Sequence, residues 1–215
     1  MSDQGVVTED GERMAGYIVG SGRRSVIVVH EIFGVTPHIR QLADRFAAEG
    51  FAAFAIDLFD GRTTDDLQQG FAFAGALDWG AAARKIARAA EALRTEGRSA
   101  AVVGFCMGGA LALMAAAEKP SPGPCVCFYG IPRAEQADLR RIEGRVLLHF
   151  GTRDAYISKE RIDALEALLR SGDVRARLHR YDADHGFVRE EPEGAAATLA
   201  WQRTIAFLQQ ELGVA

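Results

Sequence analysis

Apolar positions recur along this chain in two alternating rhythms. Ser25-Val-Ile-Val-Val-His30 is a continuous β-branched run, the pattern of a strand buried on both faces. From about His38 to Glu49 the pattern turns helical, and Gly50 stands where a helix-ending glycine is expected. Phe51–Asp57 predicts the next strand. A polar stretch carrying Gly61 and Gly70 then separates it from a long Ala-rich helix over about residues 80–96, where Ile86, Ala90 and Leu93 share one face. There follow a strand at Ser99–Val103, a helix at Met107–Glu118, and strands at Pro124–Tyr129 and Arg145–Phe150. A helix at Lys159–Arg170, a strand at Val174–Tyr181 and a helix at Ala195–Gln210 complete the pattern. Short apolar strands alternating with helices predict an α/β fold, a mostly parallel sheet with helices on both faces. No repeat, low-complexity segment or linker divides the chain. A single domain over residues 1–215 is expected, with residues 1–11 as a peripheral N-terminal segment.

Composition narrows the function without naming it. With 48% hydrophobic and 25% charged residues, 215 residues suffice for a sizeable core. A net charge of −4 and scattered basic residues give no reason to expect nucleic acid or an anionic membrane as partner. No apolar run approaches the length of a membrane span, and the polar, acidic segment Met1–Arg13 lacks the apolar core of a signal peptide. Three cysteines make neither an even disulfide framework nor a pair of metal-binding units, and no His, Cys and carboxylate cluster has ligand spacing. Cys125 and Cys127 would point to the same face of one strand, a poor arrangement for a mutual disulfide. These features predict a cytoplasmic protein with no cofactor and no bound metal.

The chemistry concentrates at strand ends, where parallel sheets place their active sites. Gly104-Phe-Cys-Met-Gly108 lies between a strand and a helix and fits the nucleophile elbow G-x-S-x-G with Cys106 in place of serine. Glycines on either side let backbone segments approach, and the helix N-terminus favours a thiolate. The bland alternative is a buried structural cysteine, and for Cys125 and Cys127 it is the better reading. An elbow nucleophile needs an acid and then a histidine further along the chain. Asp154 follows the strand ending at Phe150, and His185 follows the strand ending at Tyr181. His185 can deprotonate the thiol while Asp154 holds its tautomer. Asp182 and Asp184 are too close in sequence to His185 to face it readily. His149 and His179 fall inside strands as packed or surface residues, and His38 reads as a polar helix terminus. In α/β-hydrolases the loop after the first buried strand and the residue after the nucleophile supply the oxyanion amides, here Ile32 and Met107. Glu31 beside them is either a surface acid or a carboxylate that keeps Cys106 protonated until substrate arrives.

Taken together, Val28-Val-His-Glu-Ile-Phe-Gly-Val35, Gly104-Phe-Cys-Met-Gly-Gly109, Phe128-Tyr-Gly130, Gly151-Thr-Arg-Asp154 and His185-Gly-Phe-Val-Arg189 resemble the dienelactone hydrolase (carboxymethylenebutenolidase) family. They occur in family order from about residue 12 to the carboxyl terminus. The resemblance implies an α/β-hydrolase fold and a triad of Cys106, His185 and Asp154. It further implies that Glu31 engages the resting thiol and swings away when substrate binds. It assigns Arg189 to the substrate carboxylate, and Phe33 and Tyr129, inside the matching runs, to substrate binding. The second carboxylate-binding arginine of such enzymes has no counterpart in Gln68–Phe73, and Arg62 comes too early to replace it.

The expected function is therefore cysteine-dependent hydrolysis of a small ester or lactone through an acyl-enzyme, by a monomer or small homo-oligomer. The substrate is a small molecule, with or without a carboxylate. A carboxylesterase for neutral esters would use the same triad. A non-catalytic thiol protein that binds a ligand or senses oxidants would need neither base nor oxyanion loop.

Overall fold

The computed structural model describes residues 5–8 and 11–213. In chain order the elements are β1 Gly5–Val7, β2 Arg13–Val19, β3 Arg24–Val29, α1 Pro37–Ala48, β4 Ala52–Ile56, α2 Leu67–Ala76, α3 Trp79–Thr95, β5 Ser99–Phe105 and α4 Met107–Ala116. After these come β6 Cys125–Phe128, β7 Val146–Gly151, α5 Lys159–Ser171, β8 Ala176–Tyr181, α6 Phe187–Glu190 and α7 Ala195–Leu212. The strands form one sheet in the order β1-β2-β4-β3-β5-β6-β7-β8. β1 and β2 pair antiparallel, as do β2 and β4, and every other neighbour is parallel.

The chain steps from β3 to β4 on one side, then returns to β5 on the other. Right-handed crossovers consequently put α1 and α3 on opposite faces. Phe46 of α1 meets Trp201 of α7 at 4.5 Å between ring centroids, joining the helices of one face. On the central strands the β-branched and alanine runs are buried throughout, with Val26–Val29 at 0% exposure. The reversal leaves a crevice beyond the carboxyl ends of β3 and β5. α4 rises directly from it. All ten of its residues are buried, because its alanine, glycine, leucine and methionine side chains are apolar all round.

Three parts of the chain depart from the sequence expectation. The polar stretch before the Ala-rich helix contains a helix, α2, with only Gly70 and Ala74 buried. Arg13–Val19, with no uninterrupted apolar run, is a strand because it pairs antiparallel with β4 near the sheet's edge. Within segment 1–11, residues 1–4 and 9–10 lie outside the described residues, while Gly5–Val7 is the edge strand and buries Val6. No helix among the described residues is long and apolar enough to cross a membrane.

Candidate active site

Cys106 sits between β5 and α4 with φ +53° and ψ −118°, a conformation L residues seldom adopt. Glycines make that turn possible. A methyl group on Gly104 would overlap the Gly108 carbonyl, and one on Gly108 would overlap the carbonyl of Val29. The Cys106 amide donates to Phe128 O at 3.0 Å, tying the turn to β6. The result is a half-buried thiol at a helix N-terminus, lifted into the crevice.

The Cys106 Sγ lies 3.1 Å from His185 Nε2, and His185 Nδ1 lies 2.7 Å from Asp154 Oδ2. The other carboxylate oxygen, Oδ1, accepts from the amides of Tyr156 at 2.8 Å and Ile157 at 2.9 Å. Asp154 is thereby fixed by its own loop, with its side chain fully buried. Burial disfavours the His185 cation, but hydrogen bonds to Asp154 and Cys106 and their charges outweigh it and raise its pKa above the ordinary imidazole value. Asp182 and Asp184 instead pair with Arg153 at the surface. His149 is buried between Tyr181 Oη at 2.8 Å and Thr204 Oγ1 at 3.1 Å, a packing role. His38 is half-buried near the start of α1, and His179 lies on β8.

Glu31 is buried, at 3% exposure, so it is not the surface acid the sequence left open. Its Oε2 lies 3.4 Å from Arg189 Nη1. Burial pushes its carboxyl up to about 7, against the pull of Arg189 and His185. Among the described residues no hydrogen bond joins it to Cys106, whose sulfur faces His185. The Arg189 guanidinium lies over the Phe33 ring, with Cζ 4.0 Å from the centroid. Tyr129 is fully buried under His185, with ring centroids 5.0 Å apart, and its hydroxyl has no hydrogen-bond partner.

These groups line a cleft of about 410 Å³ that also takes in Ile32 and Met107. Met107 is the first residue of α4, so its amide has no acceptor within the helix. No described backbone group accepts from Ile32 either. Both amides thus have no backbone acceptor, and both residues line the same cleft as Cys106. A site of this form can ionise a thiol, hold a developing oxyanion and return a proton to a leaving group.

Several lining residues escaped the sequence reading. Tyr156 packs edge-on to His185 at 5.0 Å, and Leu67, Phe71 and Trp79 make an apolar wall from α2 and the start of α3. Arg161 of α5 reaches the cleft, holding the carbonyls of Tyr156 and Ile131. Arg62 does not, as its guanidinium lies over Phe73 and its Nε donates to Phe59 O. All three cysteines are free, and no group of three His, Cys, Asp or Glu among the described residues is placed to hold a metal ion.

The sequence profile of the dienelactone hydrolase family matches residues 14–212. A carboxymethylenebutenolidase of Rhodococcus opacus is 34% identical over 216 residues, covering 91% of this chain and 84% of its own. Carboxymethylenebutenolidase 1 of Cupriavidus pinatubonensis is 31% identical over 201 residues, covering 85% and 84%. A solved structure of a dienelactone hydrolase-like promiscuous phosphotriesterase from metagenomic libraries superposes with a TM-score of 0.79 at 26% identity, over 98% of both chains.

Proposed function

Since the chain belongs to the dienelactone hydrolase family and is a hydrolase of ester bonds, we propose that it cleaves small esters or lactones through a thioester on Cys106. The observation that carries this is the continuous line from Cys106 Sγ to His185 Nε2 at 3.1 Å and from His185 Nδ1 to Asp154 Oδ2 at 2.7 Å, at a strained elbow. The thiol proton passes to His185, and the thiolate attacks the ester carbonyl. The amides of Ile32 and Met107 receive the oxyanion. As the tetrahedral adduct collapses, the His185 imidazolium protonates the leaving alkoxide. A water deprotonated by His185 then attacks the thioester, giving the acid and restoring the thiol.

Glu31 lies in the same cleft as the thiol and supports a role as a carboxylate that exchanges between Cys106 and Arg189, its partner here being Arg189. Arg189, over Phe33, is the cation assigned to an anionic substrate group, which would take the place of its contact with Glu31. Tyr129 forms the floor of the cleft beneath His185, with its unpartnered hydroxyl buried there.

A neutral ester is the second reading, and one observation favours it. The α2 side of the cleft presents Leu67 and Phe71, with Trp79 beside them, and no arginine. The reaction is tested by turnover of a chromogenic ester. Cys106→Ala is expected to abolish it, and near-normal turnover would remove Cys106 as nucleophile. A kcat/KM panel of dienelactones, neutral lactones and aryl esters separates the two substrate readings.

A further inference from the structure

His30 ends the first buried run of the sequence and is fully buried just past β3. Leu58 donates its backbone N–H to His30 Nε2 at 3.2 Å. A backbone amide can only donate, so Nε2 carries a lone pair, and the neutral ring bears its proton on Nδ1. Burial lowers the pKa of His30, which favours that neutral ring. Nδ1 faces the carbonyl oxygen of Glu31 at 2.6 Å.

The ring is braced from the far side. Phe59 packs on it at 4.7 Å, and the Asp57 carboxylate ties the loop that carries Leu58 and Phe59, accepting from Phe59 N at 2.9 Å and Gly61 N at 2.5 Å. The carbonyl that His30 grips belongs to the Glu31–Ile32 peptide. In a planar trans peptide the N–H points opposite to the C=O, so holding the oxygen aims the Ile32 amide. The Gly108 turn of α4, adjacent to the Met107 amide, lies directly against the backbone carbonyls of Val29 and His30. The peptides that carry both amides are therefore held by one short stretch of chain, Val29 to Glu31.

We infer that His30 is a positioning residue of the oxyanion hole, its Nδ1–H orienting the Glu31–Ile32 peptide so that the Ile32 N–H meets the developing oxyanion. This rests on the hydrolytic reading above. His30 touches no substrate and acts only through that peptide.

The experiment compares two reactions of the same thiol in the full-length protein. Hydrolysis of p-nitrophenyl acetate builds negative charge on a carbonyl oxygen, whereas alkylation of Cys106 by iodoacetamide is a displacement at carbon that builds none. His30→Leu removes the donor, and His30→Asn keeps one, because its amide nitrogen takes the place of Nδ1. For His30→Leu, kcat is expected to fall about 10- to 100-fold, a partial loss of one oxyanion donor, with KM little changed. Its alkylation rate should match wild type, and His30→Asn should recover most of the turnover. Unchanged kcat in His30→Leu, or ester turnover and alkylation falling together, would overturn the inference. If the leucine variant does not fold, as thermal melting would reveal, the asparagine variant decides: lost turnover with intact alkylation would count against it. Wild-type protein that is alkylated at Cys106 yet releases no nitrophenol would instead sink the hydrolytic reading beneath it.

Discussion

Glu31 holds a buried carboxylate 3.4 Å from the Arg189 guanidinium, and the two meet on the wall of the cleft that faces Cys106. The carboxyl titrates near neutrality, at about 7 instead of 4.5, because burial opposes its ionisation more than Arg189 favours it.

That burial makes stability depend on pH. Between about 4.5 and 7 the folded protein holds a proton on Glu31 that the unfolded chain has released. Stability from this group is therefore fully present below 4.5 and lost as pH rises through 7. Glu31→Gln has no such ionisation, so its stability relative to wild type should improve on going from pH 5 to pH 8. The gain is at most on the order of 3 kcal/mol. Urea denaturation at the two pH values measures it, and a pH-independent difference would contradict the buried titration.

Arg189→Met removes the cation while keeping the stem over Phe33. KM should rise for esters bearing a carboxylate and stay near wild type for neutral ones. Steady-state kinetics on a matched pair of aryl esters tests this, and equal losses on both would remove Arg189 from anion recognition.

Asp154→Asn preserves shape and can still accept from the Tyr156 and Ile157 amides. Its amide group then faces His185 Nδ1 and forces the ring proton onto Nε2, against the thiol. The kcat/KM for ester hydrolysis should fall by about 10³- to 10⁴-fold. Alkylation of Cys106 should slow as well, in contrast to the His30 variants. A melting temperature near wild type confirms that the loss is chemical.

Gly104→Ala would drive a methyl into the Gly108 carbonyl, inside a helix with no exposed side to yield. The cost should exceed about 4 kcal/mol, the range in which single substitutions unfold marginal domains. Soluble expression and thermal melting measure it. An alanine tolerated here would mean that the elbow is looser than its packing indicates.

How much of this was legible in the sequence follows from where each residue sits. Val26–Val29, Ala100–Phe105 and Val146–Phe150 are covered on both faces, so burial writes itself into the sequence as apolar runs. Cys106 and Asp154 each follow such a run, while His185 follows β8, an edge strand with only Tyr181 buried, whose ending after Tyr181 still marked the loop that carries the histidine. α2 was not legible, since it lies on the surface with Phe71 half exposed and two glycines interrupting its pattern. The setting of Glu31 was hidden because its partner Arg189 lies 158 residues away in the chain. His30 offered a strand-end histidine but no hint of its partner Leu58, which arrives from the neighbouring strand's loop.

α2 occupies a different standing from the rest of the cleft. It is stopped at one end by the Asp66 carboxylate and followed by the Asp78 cap of α3, with Trp79 Nε1 bonded back to Ala74 O. It touches the loop after β3 closely at Gly70, whose missing side chain makes room for Ile32. For retargeting the enzyme, the stretch from Asp66 to Trp79 is therefore an exchangeable cassette. A library that varies Leu67, Phe71 and Trp79 while keeping Gly70 would change what the cleft admits and leave the bond-breaking atoms undisturbed.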